Sequence, residues 1–182
     1  MPFMLRLARM PDVAALKPLM DRAIRRLLEP FLPPEAVEAS FEIMGLDTQL
    51  ITDGTYFAVE DTAQAGRPII GCGGWSRRAT LFGGDHSVGR SAALLDPKSD
   101  AARVRAMYTD PAHARRGVGR AVLDACEAAA AKEGFSRVQL ATTLSGEPLY
   151  RACGYEVVEP FTSPTSVGID IPLLRMEKAI GI

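Results

Sequence analysis

Apolar positions along the chain change period several times, and each change marks an element. Residues 4–8 alternate and read as a first strand. From Pro11-Asp12, with Asp12 as N-cap, Val13, Leu16, Met20, Ile24 and Leu27 recur at helical spacing, and Lys17, Asp21, Arg22 and Arg25 lie outside. That helix stops near Glu29-Pro30, and Pro33-Pro34-Glu35 opens a second with Ala36, Val37, Phe41 and Met44 on its apolar side. Residues 56–60 and 69–77 read as a hairpin, and the three glycines of the second strand mark bulges or close approach of another group. Residues 103–109 form the next strand, ended by Asp110-Pro111 because proline lacks a backbone donor and restricts the residue before it. Past a basic loop, Val118, Val122, Ala125 and Ala129 share one face of a helix and Arg120, Asp124 and Glu127 the other. Gly134 stops that helix. Then come a strand at 137–142, a short helix at 146–152, a strand at 155–158 and a last strand at 167–177, with Pro172 at a bulge or edge.

The predicted architecture is α/β: a central mixed sheet of about six to seven strands flanked by about four helices. Residues 1–182 read as one domain, with an irregular insertion at about 79–102 that is either a substrate lid or a mobile loop.

Composition changes this picture little. Hydrophobic residues make up 47% and charged residues 24%, ordinary for a globular chain, and no apolar run approaches the roughly 20 residues of a membrane span. The net charge of −1 argues against nucleic-acid binding by bulk attraction. Three cysteines (Cys72, Cys126, Cys153), without metal-ligand spacing, and an N-terminus without a secretory pattern lead to the expectation of a cytoplasmic protein with free thiols and no metal. Charge is unevenly placed, however: five arginines fall between Arg103 and Arg120, enough for a small anion.

The candidate chemistry sits there. A strand, a glycine turn (Gly117-Val118-Gly119) and a helix N-terminus form an anion site, because the first helical N–H groups lack intrahelical partners and the helix dipole adds partial positive charge. Arg115, Arg116 and Arg120 add full charges that suit a diphosphate. The string needed for a P-loop is absent, and the third glycine of a dinucleotide fingerprint is replaced by Val122. What remains is a segment, Ala114-Arg115-Arg116-Gly117-Val118-Gly119, that resembles motif A of the GNAT superfamily of N-acetyltransferases, with alanine at the first position where the pattern has glutamine or arginine. The element order resembles the GNAT fold over nearly the whole chain.

The resemblance implies that acetyl-CoA is the co-substrate, its diphosphate on Arg115, Arg116, Gly117, Val118, Gly119 and Arg120, and its pantetheine arm along the main chain of Met107, Tyr108 and Thr109. Leu149-Tyr150-Arg151-Ala152-Cys153-Gly154-Tyr155 resembles the segment whose tyrosine sits beside the sulfur, which makes Tyr150 the candidate general acid. The place of a frequent family asparagine is taken by Thr143. Glu60, at the end of the second strand, is a candidate base that takes the amine proton through water; a solvated strand end is the equal alternative. His86 reads as a surface residue, His113 as a loop stabiliser or phosphate neighbour, Trp75 as core or pocket wall, and Phe31 as a packing plug or substrate contact. No histidine lies at motif spacing to activate Cys153, so no covalent route is drawn. The implied activity is transfer of acetyl from acetyl-CoA to a primary amine, on a small molecule or a protein or peptide, by direct attack. A non-catalytic acyl-CoA sensor is the rival, and the oligomeric state, a homodimer included, stays open.

Overall fold

The computed structural model describes residues 2–181. The strands are β1 (Phe3–Leu7), β2 (Tyr56–Asp61), β3 (Ile69–Ser76), β4 (Ala102–Thr109), β5 (Arg137–Thr142), β6 (Glu156–Pro164) and β7 (Asp170–Ala179). The helices are α1 (Val13–Leu28), α2 (Pro34–Ser40), α3 (Thr48–Thr52), α4 (Val118–Lys132) and α5 (Glu147–Ala152). All seven strands form one sheet in the order β1-β2-β3-β4-β5-β7-β6. Every neighbour pair is antiparallel except β4 and β5, which are parallel.

Each face of the sheet carries its own core. On one side the apolar stripe of α1 (Leu16, Met20, Ile24) packs with Ala58, Cys72 and Tyr108. On the other, Val118, Val122 and Cys126 of α4 pack with Val59, Val104, Val138 and Leu140. Two of the three glycines of β3 serve that second contact: a Cβ at Gly71 would stand 2.3 Å from Val118 Cγ1, and one at Gly73 would stand 2.9 Å from Val122 Cγ1. Helix α4 therefore lies directly on the β3 backbone.

The structure corrects several expectations. Five helices among the described residues accord with the expected count of about four, but α3 was not among the expected elements. It is short, and its start is set by Asp47, whose side chain accepts from Gln49 N–H at 3.1 Å. Asp12 does not cap α1 with its side chain. Its carboxylate instead accepts from Arg9 N–H at 2.7 Å and from both terminal nitrogens of Arg6. Strand β6 runs longer than its apolar core suggested, because pairing with β7 carries it through exposed positions to Pro164. Pro172 lies beyond Leu174, the last β7 partner of β5, where that flank of the strand has no ladder to break.

The insertion at 79–102 is docked rather than loose. Asp85 Oδ1 accepts from Thr48 N–H at 2.9 Å, Ser87 Oγ donates to Glu42 O at 2.7 Å, and His86 Nε2 lies 2.6 Å from Phe41 O.

Candidate active site

The site begins at an irregularity in β4. Cys72 pairs with Tyr108 and Gly74 with Arg105, so Gly73 alone opposes both Ala106 and Met107. That is a β-bulge, and it holds Ala106 at φ 52°, a value that costs a residue with a Cβ. Two buried tyrosines flank the kink. The Tyr56 hydroxyl donates to Ala106 O at 2.8 Å, and the Tyr108 hydroxyl accepts from Gly45 N–H at 2.8 Å.

Beyond the kink β4 leaves its parallel neighbour. Pairing between β4 and β5 is limited to Ala102 with Val138 and Arg103 with Gln139. From Val104 to Thr109 the β5-facing edge of β4 has no ladder partner, and a cavity of about 830 Å³ opens in the gap. Its walls come from both faces of the sheet: α1 and Phe82 on one, the α4 N-terminus and α5 on the other. The volume is that of a cleft holding one elongated small molecule.

At one end lies the glycine turn. Asp110 caps a single 3-10 turn (Pro111–His113), accepting from Ala112 N–H at 3.0 Å and pairing with Arg22 Nη2 at 2.6 Å. His113 is held between Asp61 (3.5 Å) and Asp110 (3.9 Å), as a loop stabiliser. Arg115 (φ 61°) and Gly117 (φ 85°) both have left-handed backbone, which turns successive N–H groups to one side as an anion nest. The first intrahelical bond after the turn is from Ala121 N–H to Gly117 O at 3.0 Å, so the N–H groups of Val118, Gly119 and Arg120 have no acceptor within α4. Gly119 is tight: a Cβ there would stand 2.9 Å from Leu149 Cδ2.

Tyr150 lines the same cavity from α5, only 7% exposed, in edge-to-face contact with Tyr155 (centroids 5.7 Å apart). Its hydroxyl makes no hydrogen bond among the described residues, and burial raises its pKa, with smaller contributions from Cys126, Tyr108 and Cys153. It is therefore protonated across the working pH range.

The cavity thus brings together Met107, Tyr108, Thr109, Arg115, Gly117, Val118, Gly119, Arg120 and Tyr150, along with Thr143. Two expected residues stand apart. Arg116 is absent from the cavity lining and borders a separate hollow of about 30 Å³ with Phe3, Asp61 and Ile70. Glu60 does not line the cavity; its carboxylate accepts from Arg6 Nε at 2.6 Å in the β1–β2 pair, two strands away from the gap. The structure thus gives that carboxylate to Arg6 and puts it outside the described cavity lining, without direct contact to an amine bound there. Trp75 is core, edge-on to Phe135 at 6.1 Å, and Phe31 is exposed outside the cavity. The residue that sequence reasoning missed is Arg105, a buried cation on the cavity wall; its signal was a second arginine, two after Arg103, in the middle of a strand. Among the described residues no cluster of three or more His, Cys, Asp or Glu is placed to hold a metal, and no helix is long and apolar enough to cross a membrane.

Comparison with known proteins agrees with this geometry. Residues 21–155 match the model of the acetyltransferase (GNAT) family. A GCN5-related N-acetyltransferase (aminotransferase, class II) of Rhodopseudomonas palustris superposes with a TM-score of 0.69 at 17% identity, over 97% of this chain and 95% of that one. The PaiA N-acetyltransferase of Thermoplasma acidophilum, in complex with coenzyme A, gives 0.63 at 14% identity over 98% and 99%. YncA of Salmonella typhimurium, with its cofactor acetyl-CoA, gives 0.63 at 16% identity over 100% and 95%. At such identities these structures share the fold. No curated protein matches the chain. The family model spans most of the chain, including the bulged strand, the glycine turn and the Tyr150 segment, and the chain belongs to the acetyltransferase (GNAT) family.

Proposed function

We propose that residues 2–181 work as one acetyltransferase domain, which moves an acetyl group from acetyl-CoA to a primary amine by direct attack. The observation that carries this reading is the gap between β4 and β5, which places an unpaired strand edge, an anion cradle and a free tyrosine hydroxyl in one cavity. The residues present suit the co-substrate. Arg115, Arg120 and the open N–H groups of Val118, Gly119 and Arg120 hold the diphosphate, and Arg116 contributes main chain only. The free edge of Met107, Tyr108 and Thr109 offers peptide groups to the amides of the pantetheine arm. Bound acetyl-CoA supplies the activated acetyl group as a thioester. Tyr150 provides the proton that the departing sulfur needs. The same burial that raises the tyrosine pKa also raises the proton affinity of a thiolate beside it, so the transfer stays matched. The three free cysteines support a reducing compartment, the cytoplasm.

A second reading, a non-catalytic acyl-CoA sensor, draws on the lack of any carboxylate or histidine in the described cavity lining. Calorimetric titration with acetyl-CoA, dephospho-CoA and ATP, followed by CoA release over an amine library, separates the two. Micromolar acetyl-CoA binding with amine-dependent CoA release supports the transferase. Binding without turnover supports the sensor, and no binding of any CoA form removes both.

A further inference from the structure

The two ends of the cavity differ in chemistry. Opposite the diphosphate cradle, across the sheet, Leu27, Ile43, Met44, Phe82 and Leu173 form an apolar wall. The charged side chains of the described lining are Arg105, Arg115 and Arg120, with no carboxylate and no histidine among them. Arg105 is the one on this half, in the strand just before the Ala106 kink. It is 5% exposed; its Nη1 lies 2.6 Å from Asp47 Oδ2, and its Nη2 donates to Gly83 O at 2.5 Å. Asp47, fully buried, also accepts from Arg90 Nη2 at 2.9 Å. Two guanidinium groups face one buried carboxylate, and the neighbouring carboxylate, Asp85, is exposed to solvent and held on Thr48 N–H at 2.9 Å. That leaves a surplus positive charge in the buried group behind the acceptor wall.

Two consequences follow. An ammonium ion entering this half finds no anion and meets a cation, so the amine must arrive neutral. At pH 7 the α-amine of a peptide terminus or amino-acid amide, of pKa about 7.7–8.0, is roughly 10–15% neutral, whereas a lysine-type amine of pKa about 10.4 is only about 0.04% neutral. A free amino acid, whose carboxylate stabilises the ammonium, lies between them. The site therefore discriminates by a few hundredfold before any contact is counted. The same surplus charge favours an oxygen next to the amine, and the wall favours an apolar substituent.

We propose, on the footing of the acetyl transfer above, that the acceptor is the α-amine of an apolar amino-acid unit. Its side chain lies against the Leu27, Ile43, Met44 and Phe82 wall, and its carbonyl or carboxylate oxygen is directed toward Arg105. The nitrogen lone pair forms a C–N bond to the acetyl carbonyl carbon. The C–S bond breaks with its electrons on sulfur, Tyr150 protonates the sulfur and is reprotonated from water, and the proton lost by nitrogen passes to water. The products are the N-acetylated amino acid or chain terminus and CoA.

The test compares leucine, leucinamide, a leucine-initiated tripeptide amide, N-α-acetyl-lysine amide and spermidine as acceptors at pH 7. The expected result is kcat/KM for leucinamide or the tripeptide amide at least about a hundredfold above the lysine ε-amine, in line with their neutral fractions, and above spermidine. Leucine ahead of leucinamide, despite its more basic amine, identifies the free amino acid through its carboxylate, and the reverse order identifies a chain terminus. Equal or better use of spermidine or the ε-amine overturns the inference and leaves the transferase reading standing; absence of acetyl-CoA binding removes that reading itself. Acetyl-CoA binding with no amine acetylated overturns the inference as well.

Equilibrium binding gives an independent readout. Titration of the best leucine compound into protein saturated with CoA is expected to weaken at least about tenfold in Arg105→Gln and recover partly in Arg105→Lys, while acetyl-CoA affinity stays within twofold. A folded Arg105→Gln protein with unchanged affinity overturns the role of Arg105. Should Arg105→Gln fail to fold, because it leaves Asp47 buried against a single arginine, the wild-type acceptor panel decides alone.

Discussion

Tyr150→Phe separates chemistry from structure because the side chain is buried but its hydroxyl has no protein partner. Had that hydroxyl been bonded, its removal would cost about 1 kcal/mol and about 2–4 °C of Tm in a chain of this size. With no such bond among the described residues, and the ring left in place against Tyr155, the expected change is within about 0.5 kcal/mol. The catalytic cost is of another order. Loss of a general acid lowers rate by about 10²–10⁴, or about 2.7–5.4 kcal/mol of barrier at 1.36 per factor of ten. Steady-state CoA release at saturating amine should therefore show kcat down at least a hundredfold, with KM for acetyl-CoA within about twofold. The sign of the pH dependence follows from the raised pKa. An acid whose pKa stands above 10 stays protonated from pH 6 to 9, so deprotonation of Tyr150 gives the wild type no basic fall in that window. A kcat within twofold of wild type, in a variant that stays folded, would refute the role of Tyr150. A Tm loss of several degrees with unchanged kcat would instead place the hydroxyl in a structural bond.

Three further outcomes are expected. Gly117→Asp puts a side chain at φ 85° and a negative charge in the anion cradle, so acetyl-CoA affinity by calorimetry should fall at least about thirtyfold while circular dichroism stays native. Glu60→Gln should leave kcat within about twofold, because the carboxylate serves Arg6; a hundredfold loss would restore it as the base. For acid stability, the bond from Arg6 holds the Asp12 carboxyl below its ordinary 3.8, against an opposing push from burial. A depressed folded pKa adds stability that is present above about pH 4 and lost as pH falls through the lowered value. Arg6→Met should therefore be less stable than wild type at pH 6, with the gap closing in urea melts as pH is taken below the ordinary carboxylate range; a gap independent of pH would show that the pair contributes nothing.

Much of the fold was legible because its signals are local. The period of Val118, Val122, Ala125 and Ala129 needs only the helix's own geometry and one apolar face, though the structure turns that face slightly, burying Cys126 and Ala130. Val118–Lys132 and Arg137–Thr142 are helix and strand bounds that the local patterns carry. The glycine turn was equally local, since left-handed backbone and open helical N–H groups are properties of a few consecutive residues. Helix α3 was not legible: five residues are too few to show a period, and Asp47 caps them while also bonding Arg90, far away in sequence. Glu60 sat at a strand end in either account. Only the strand order revealed that its neighbour is Arg6 and that the gap opens elsewhere.

By itself, then, the sequence determined which stretches become strands and helices, and where a left-handed turn opens onto the free N–H groups of a helix, because backbone dihedrals and hydrophobic period act over a few residues. The tertiary structure alone decided that β4 and β5 part after two paired residues, that Arg116 borders a separate hollow, and that Arg105 shares a buried carboxylate with Arg90. Those outcomes depend on which distant segments pair and pack together, and no local pattern encodes the partner of an unpaired edge or a buried charge.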